Sequence, residues 1–208
     1  MKLSCQDVKR IEKVLEMAES QTYPEAPSEV HDSITRQMMN HLFTRYSLPQ
    51  GSRVLDVGCG QGVALDKFSR YGFHAIGITL NQEDVDICQR KEFEVYKMDQ
   101  TFLDFESESF DLVWNRHCIE HSISPLLTLS SLYEVLMPGG LLYIEVPAPD
   151  TVAQHQNNPN HYSVLTKSMW SELIRRSGFN LLEQMDLDLS VDVGEDKYFA
   201  FISIKQEK

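Results

Sequence analysis

Cysteine is scarce in this 208-residue chain. There are four, Cys5, Cys59, Cys88 and Cys118, and no two have C-x-x-C spacing. Thiols scattered in this way argue against a disulfide framework or a thiolate zinc site and fit free side chains in a reducing compartment. Long apolar runs are missing too, and none approaches the roughly 18 residues of a spanning helix. The opening stretch Met1-Lys2-Leu3-Ser4-Cys5-Gln6-Asp7 lacks the apolar core of a secretory signal. The expectation is therefore a cytoplasmic protein with no membrane partner. Positive charge is in short supply: 19 Lys and Arg face 31 Asp and Glu, for a net charge of −12. That balance argues against broad contact with nucleic-acid phosphate or an anionic bilayer, but leaves room for a local basic pocket.

What remains is ordinary for a globular chain. Hydrophobic residues make up 42%, enough for a sizeable core, and the length suits one domain with a small appendage. Ile11, Val14, Leu15 and Ala18 recur at helical spacing, which predicts a helix over 6–20 broken by Pro24 and Pro27. A second helix is predicted over 29–45. Residues 1–48 are read as an N-terminal helical cap and 49–208 as the main domain. From residue 50 short apolar strands alternate with helices. Strands are predicted at 53–57, 74–78, 94–97, 110–114 and 141–146, with helices at 61–71, 82–91, 124–136 and 166–177. Pro138-Gly139-Gly140 is read as closing the helix over 124–136. Two final strands, about 180–187 and 196–204, lack a long crossover and can pair antiparallel. This alternation implies an α/β fold with a mostly parallel sheet covered by helices on both faces. Acidic residues such as Glu106, Glu108, Asp186, Asp188, Asp192, Glu195 and Asp196 are expected on a solvated exterior.

The first predicted strand runs straight into Asp56-Val57-Gly58-Cys59-Gly60-Gln61-Gly62 and opens a helix. Its G-x-G-x-G spacing is neither the dinucleotide G-x-G-x-x-G nor a phosphate-binding G-x-x-x-x-G-K-[ST], and no Lys follows the glycines. An uncharged loop with a carboxylate just before it suits a cationic, phosphate-free ligand.

Val54-Leu55-Asp56-Val57-Gly58-Cys59-Gly60-Gln61-Gly62 resembles motif I of class I S-adenosylmethionine-dependent methyltransferases. Phe110-Asp111-Leu112-Val113-Trp114, Ile119-Glu120-His121 and Leu136-Met137-Pro138-Gly139-Gly140-Leu141-Leu142-Tyr143-Ile144 resemble later motifs of that family, in the family order. The resemblance implies a Rossmann-like, seven-stranded, mostly parallel sheet with an antiparallel last strand. It implies S-adenosyl-L-methionine as cofactor and S-adenosyl-L-homocysteine as product. It also implies cofactor contacts at Asp56, Gly58, Cys59, Gly60, Gly62, Thr79, Leu80, Asp99, Gln100 and Asn115. Thr79 departs from the family pattern, which places an acid there to accept from both ribose hydroxyls. A hydroxyl cannot do the same, although a similar G-I-T-L segment occurs in cyclopropane-synthase-like relatives.

The segment Asn115-Arg116-His117-Cys118-Ile119-Glu120-His121 follows the fourth strand, where strand ends face a ligand. His117, Glu120 and His121 stand at i, i+3 and i+4, so a helix would align them on one face. His121 and His117 are the candidate bases or substrate contacts, and Arg116 the candidate anion-recognition group. His155, His161 and Tyr162, in the polar loop 147–163, are further candidate substrate contacts. By resemblance to metal-dependent 2′-O-methyltransferases of small RNAs and to quinone O-methyltransferases, which carry E-x-x-E-H here, His117, Glu120, His121 and His161 form an alternative metal set. The leading expectation is methyl transfer to an O or N atom of a small polar or sugar-like metabolite without a metal. Metal-assisted methylation of RNA and a non-catalytic binding protein of the same fold are the competing readings.

Overall fold

The computed structural model describes residues 2–24, 26–191 and 194–206. Helix α1 spans Cys5–Glu19 and α2 spans Glu29–Arg45. Strand β1 covers Arg53–Val57, followed by α3 at Val63–Arg70, β2 at His74–Thr79, α4 at Gln82–Arg90 and β3 at Glu94–Lys97. Then come β4 at Phe110–Arg116, α5 at Pro125–Val135, β5 at Leu136–Pro147, α6 at Lys167–Arg176, β6 at Phe179–Val191 and β7 at Gly194–Lys205. The sheet order is β3-β2-β1-β4-β5-β7-β6. Six strands share one direction. β7 alone runs against them, antiparallel to both β5 and β6.

Side-chain alternation along the strands builds two cores. Val54, Leu112, Trp114, Leu141 and Tyr143 face one side, where Met38, Met39 and Leu42 of α2 and Phe68 of α3 cover them. Leu55, Val57, Val113, Leu142 and Ile144 face the other, beneath Leu129 and Leu132 of α5 and Trp170 and Ile174 of α6. The Trp114 and Tyr143 rings stack 3.9 Å apart across the β4–β5 pair. Caps define the helix starts. Ser4 and Asp7 form a capping box on α1, and Asn81 accepts from the Glu83 and Asp84 amides at α4.

Three boundaries differ from the sequence reading. Pro138-Gly139-Gly140 lies inside β5, because Leu136 already pairs with Phe110 across an irregularity between Phe110 and Leu112. β4 runs on to Arg116. β6 and β7 form a longer hairpin than expected, reaching Val191 and Gly194. No helix among the described residues is long and apolar enough to cross a membrane.

The two N-terminal helices differ in kind. α2 buries Ile34, Met38, Met39 and Leu42, whereas α1 buries nothing completely. Met39→Ala should therefore cost about 2–5 kcal/mol in urea unfolding, the range for emptying a packed site. Ile11→Ala on α1 should cost less than about 0.5 kcal/mol. Equal losses would contradict this packing.

Candidate active site

β1 is flanked by β2 on one side and β4 on the other, so successive connections leave it in opposite directions. In an open α/β sheet that switch point opens a crevice beyond the carboxyl ends of the strands. The glycine loop fills its floor. The Gly58 and Cys59 amides both donate to the Ile78 carbonyl, at 2.9 and 3.0 Å, tying the loop to the end of β2. Gly58 has φ +75°, and a Cβ there would lie 2.6 Å from Cys118 Sγ. The position therefore requires glycine twice over, for backbone conformation and for space. The Cys59 and Cys88 thiols, both free, converge on the Gly60 carbonyl at 3.6 and 3.3 Å. Asp56 is buried just below, and its Oδ2 has no hydrogen-bond partner. Burial, reinforced by Cys88, pushes its pKa up to about 8 despite the Arg116 guanidinium.

Above the loop lies a cleft of about 300 Å³. One end is lined by Gly58, Gly60, Thr79, Leu80, Asp99 and Gln100. Thr79 Oγ1 accepts from the Asn81 amide and Asp99 Oδ1 from the Thr101 amide, so both side chains also brace their own turns. Asp84, in the first turn of α4, is a buried acid lining the same end. The sequence reading passed over it. Cys59 lines a neighbouring crevice instead, and Gly62 and Asn115 line neither. Gly62 starts α3 in a left-handed conformation. Asn115 Nδ2 donates to Gln100 Oε1 and its Oδ1 accepts from the Ile119 amide, so it shapes the turn from within.

The segment after β4 is not the helix that the i, i+3, i+4 spacing suggested. Only Ile119–His121 forms a 3-10 turn. His117 has φ +53° and stands outside it. The pull comes from β5: the His117 amide donates to the Glu145 carbonyl at 2.8 Å, and His117 Nε2 meets Glu145 Oε1 at 2.8 Å. Glu145 is completely buried. It also receives the Tyr143 hydroxyl at 2.5 Å and the Arg116 guanidinium at 2.8 Å. Burial opposes its charge, but Arg116, His117 and Tyr143 prevail and hold its pKa down at about 2. Burial, with Arg116 close by, lowers the His117 pKa. The imidazole is therefore neutral, with Nε2–H donated to the carboxylate and the lone pair on Nδ1. Its ring lies flat on Tyr198 at 4.5 Å. Glu145 was legible as the one charge inside the apolar run Leu141–Val146, yet the sequence reading did not use it.

The other end of the cleft is lined by His117, His121, His155, His161, Tyr162 and Tyr198. His121 Nδ1 lies 3.0 Å from the Asn160 carbonyl. A carbonyl only accepts, so Nδ1 carries the proton and Nε2 the lone pair. His155 Nε2 sits 2.9 Å from Asp196 Oδ2. Asp196 is thus buried rather than on the expected solvated exterior, and Asp192 lies outside the described residues. Burial and the neighbouring His121 and His155 lower His161 to about 4. Ligand atoms of Glu120, His121 and His161 fall within 4.8 Å of one another, while His117 is held apart by Glu145. Arg116 does not line this cleft. Leu15 and Ala18 of α1 and His31 of α2 form part of its cover.

Three features fit the cofactor implied by the motifs. They are a glycine cradle that a Cβ would fill, an orphaned buried carboxyl oxygen beside it, and a cleft with polar groups at both ends. A methyltransferase-domain family profile matches residues 31–184. An O-methyltransferase of Pyrenophora dematioidea is 26% identical over 181 residues, covering 79% of this chain and 67% of that protein. A ubiquinone biosynthesis O-methyltransferase of Cereibacter sphaeroides is 30% identical over 120 residues, 53% of this chain and 49% of that one. The chain spans about half the length of several curated relatives it matches. Among solved structures, a phosphoethanolamine N-methyltransferase of Haemonchus contortus in complex with S-adenosyl-L-methionine superposes with a TM-score of 0.69 at 16% identity. That match covers 83% of this chain and 53% of the other.

Glu145 sets a pH test. Its pKa is lower folded than unfolded, so its stabilisation is present above about pH 4.5 and is lost as pH falls toward about 2. Wild-type stability should fall across that window, and Glu145→Gln should flatten the fall. At pH 7 the variant should be less stable by roughly 3–5 kcal/mol, because it strands the Arg116 charge. Chemical denaturation at several pH values reads both effects.

Proposed function

The chain belongs to the S-adenosylmethionine-dependent methyltransferase family, and from that premise we propose that it transfers a methyl group to an oxygen or nitrogen atom of a small, polar acceptor. One observation carries the reading: the glycine loop and five imidazoles line a single cleft. When bound, the cofactor supplies an electrophilic methyl carbon on a sulfonium. Gly58, Gly60, Thr79, Leu80, Asp99 and Gln100 hold it, with Asp84 adding a carboxylate where Thr79 offers only a hydroxyl. Asn115 and Gln100 brace the turn that carries His121.

The remaining residues act on the acceptor. His121, with its proton fixed on Nδ1 by Asn160, offers Nε2 to take the acceptor's proton as the bond to carbon forms. His117 offers Nδ1, its ring clamped between Glu145 and Tyr198. His155, His161 and Tyr162 shape the acceptor end. α1 and α2 cover the cleft and keep it dry, so the nucleophile and the methyl carbon are held together without competing water. The O-methyltransferase names of two relatives favour oxygen.

A second reading is supported by the Glu120, His121 and His161 grouping. Two imidazoles and a carboxylate suit a divalent transition ion, which would receive acceptor oxygens directly. The acidity of the chain weighs against RNA as that acceptor.

A screen of hydroxylated and amine metabolites with label on the cofactor methyl should find transfer. His121→Ala should then lower kcat by roughly 10²–10⁴ while S-adenosylhomocysteine affinity holds. Binding without turnover across the whole panel would point to a non-catalytic cofactor-binding protein. Activity that survives chelator treatment, with no metal found by elemental analysis, eliminates the metal-assisted version.

A further inference from the structure

Two thiols meet beside the glycine loop. Cys59 belongs to the loop itself and Cys88 to α4, and both sulfurs approach the Gly60 carbonyl, at 3.6 and 3.3 Å. The two thiols are also in hydrogen-bond contact with each other. Two missing side chains make the space they occupy. A Cβ on Gly77, inside β2, would lie 2.7 Å from Cys59 Sγ, and one on Gly62 would lie 3.2 Å from Cys88 Sγ. Gly77 has no positive φ, so space and not backbone shape calls for glycine there. Glycine inside a strand marks a close approach, and here it is a sulfur that approaches. Leu65, Val85 and Val95 close round the pair.

The pair is buried but not sealed. Cys59 lines a crevice of about 60 Å³ on the α2 side of the loop, and Cys88 lies fully buried behind it. That volume admits a molecule the size of water or hydrogen peroxide and excludes one the size of glutathione. The hydrogen bond from Cys59, helped by the charge of Lys91, lowers the Cys88 pKa. The same hydrogen bond, together with burial, raises that of Cys59. One sulfur is therefore within reach of a small oxidant, and its neighbour is disposed toward the thiolate. A disulfide-forming pair divides its work in that way, between a thiol that is oxidised and a thiolate that resolves it.

We propose that Cys59 and Cys88 are a site of reversible oxidation, which closes to a disulfide under hydrogen peroxide and loosens the glycine loop when it does. The Cys59 sulfur attacks one peroxide oxygen, and the O–O bond breaks. A sulfenic acid forms, and the displaced hydroxide takes the thiol proton and leaves as water. Cys88 then attacks that sulfur. The S–S bond forms, the S–O bond breaks, and a second water leaves with the remaining proton. The two thiols lose two electrons and two protons, and the peroxide is reduced to two waters. A disulfide has no S–H, so the Gly60 carbonyl loses both thiol donors. Gly60 lines the main cleft as well as the crevice. On the reading that this cleft takes S-adenosylmethionine, the change falls where the cofactor is held. Linkage makes the effect reciprocal: if oxidation weakens the cofactor, bound cofactor opposes oxidation by the same factor.

Peptide mapping by mass spectrometry, on reduced protein then exposed to hydrogen peroxide, reads the bond directly. The expected product is a Cys59–Cys88 cross-link that dithiothreitol reverses. Calorimetric titration should show S-adenosylhomocysteine binding roughly 10-fold more weakly to the oxidised protein, with affinity restored on reduction. Saturating S-adenosylhomocysteine should slow the cross-linking. Cys88→Ser should still bind S-adenosylhomocysteine and should show neither the cross-link nor the reversible loss of affinity. Peroxide that leaves both thiols free, or that carries Cys59 only to the sulfinic acid, overturns the oxidation site. A cross-link with unchanged affinity overturns its coupling to the loop, as does a peroxide effect that persists in Cys88→Ser. Reduced wild-type protein that never binds S-adenosylhomocysteine overturns the methyltransferase reading, while the mapping still decides the disulfide. Should Cys88→Ser fail to fold, the wild-type mapping and titrations decide alone.

Discussion

A single fully buried carboxylate, Glu145, organises the carboxyl ends of β4 and β5. It takes a hydrogen bond from the Tyr143 hydroxyl, an ion pair from Arg116 and a ring nitrogen from His117, all inside the sheet layer. Burying a charge is tolerable only when its lone pairs are met, and here three partners from two strands meet them. The consequence is geometric. With its ring drawn to Glu145 and its amide to the Glu145 carbonyl, His117 adopts a left-handed backbone. The chain then turns out of β4, and His121, not His117, joins Glu120 and His161 across the cleft.

That dependence explains what was legible in the sequence. The seven strands and six helices follow from local signals: alternating apolar residues, Pro and Gly punctuation, and caps such as Ser28 and Asn81. The glycine loop was legible because its function depends on backbone shape, and glycine records backbone shape directly. The helical reading of His117–His121 failed because spacing records only what a segment does alone, whereas a partner on the next strand decided its conformation. Asp196 was misread for the same reason. Its partner, His155, is 41 residues away in sequence, and exposure of an acid depends on what the fold brings to it. The sequence reading looked for an acid at Thr79, the end of β2, and passed over the buried Asp84, which lines the same end of the cleft from the first turn of α4.

Two of the imidazoles in the site are held in the neutral form. His117 and His161 both titrate below the usual range, because the same layers that exclude water also remove the solvent a cation needs. The positive charge in the region belongs to Arg116, which lines the smaller crevice with Asp56 and stands outside the acceptor end. A mixture of aromatic faces, lone pairs and a few amides at this end of the cleft is what supports the proposed small polar acceptor.

The shallow seating of α1 has a kinetic meaning. Its inner residues Leu15 and Ala18 touch the cleft, but it buries no side chain completely, and Glu19 is anchored to Lys97 of β3 by an ion pair exposed on both sides. Pairs of that kind add little in water and are screened by salt. Lifting this peripheral helix would uncover its side of the cleft without disturbing either core. On the proposed reading, ligand residence time would follow that helix and fall with ionic strength, while the melting of the sheet rests on the two cores. Turnover and global stability can thus evolve on separate residues of the same small domain.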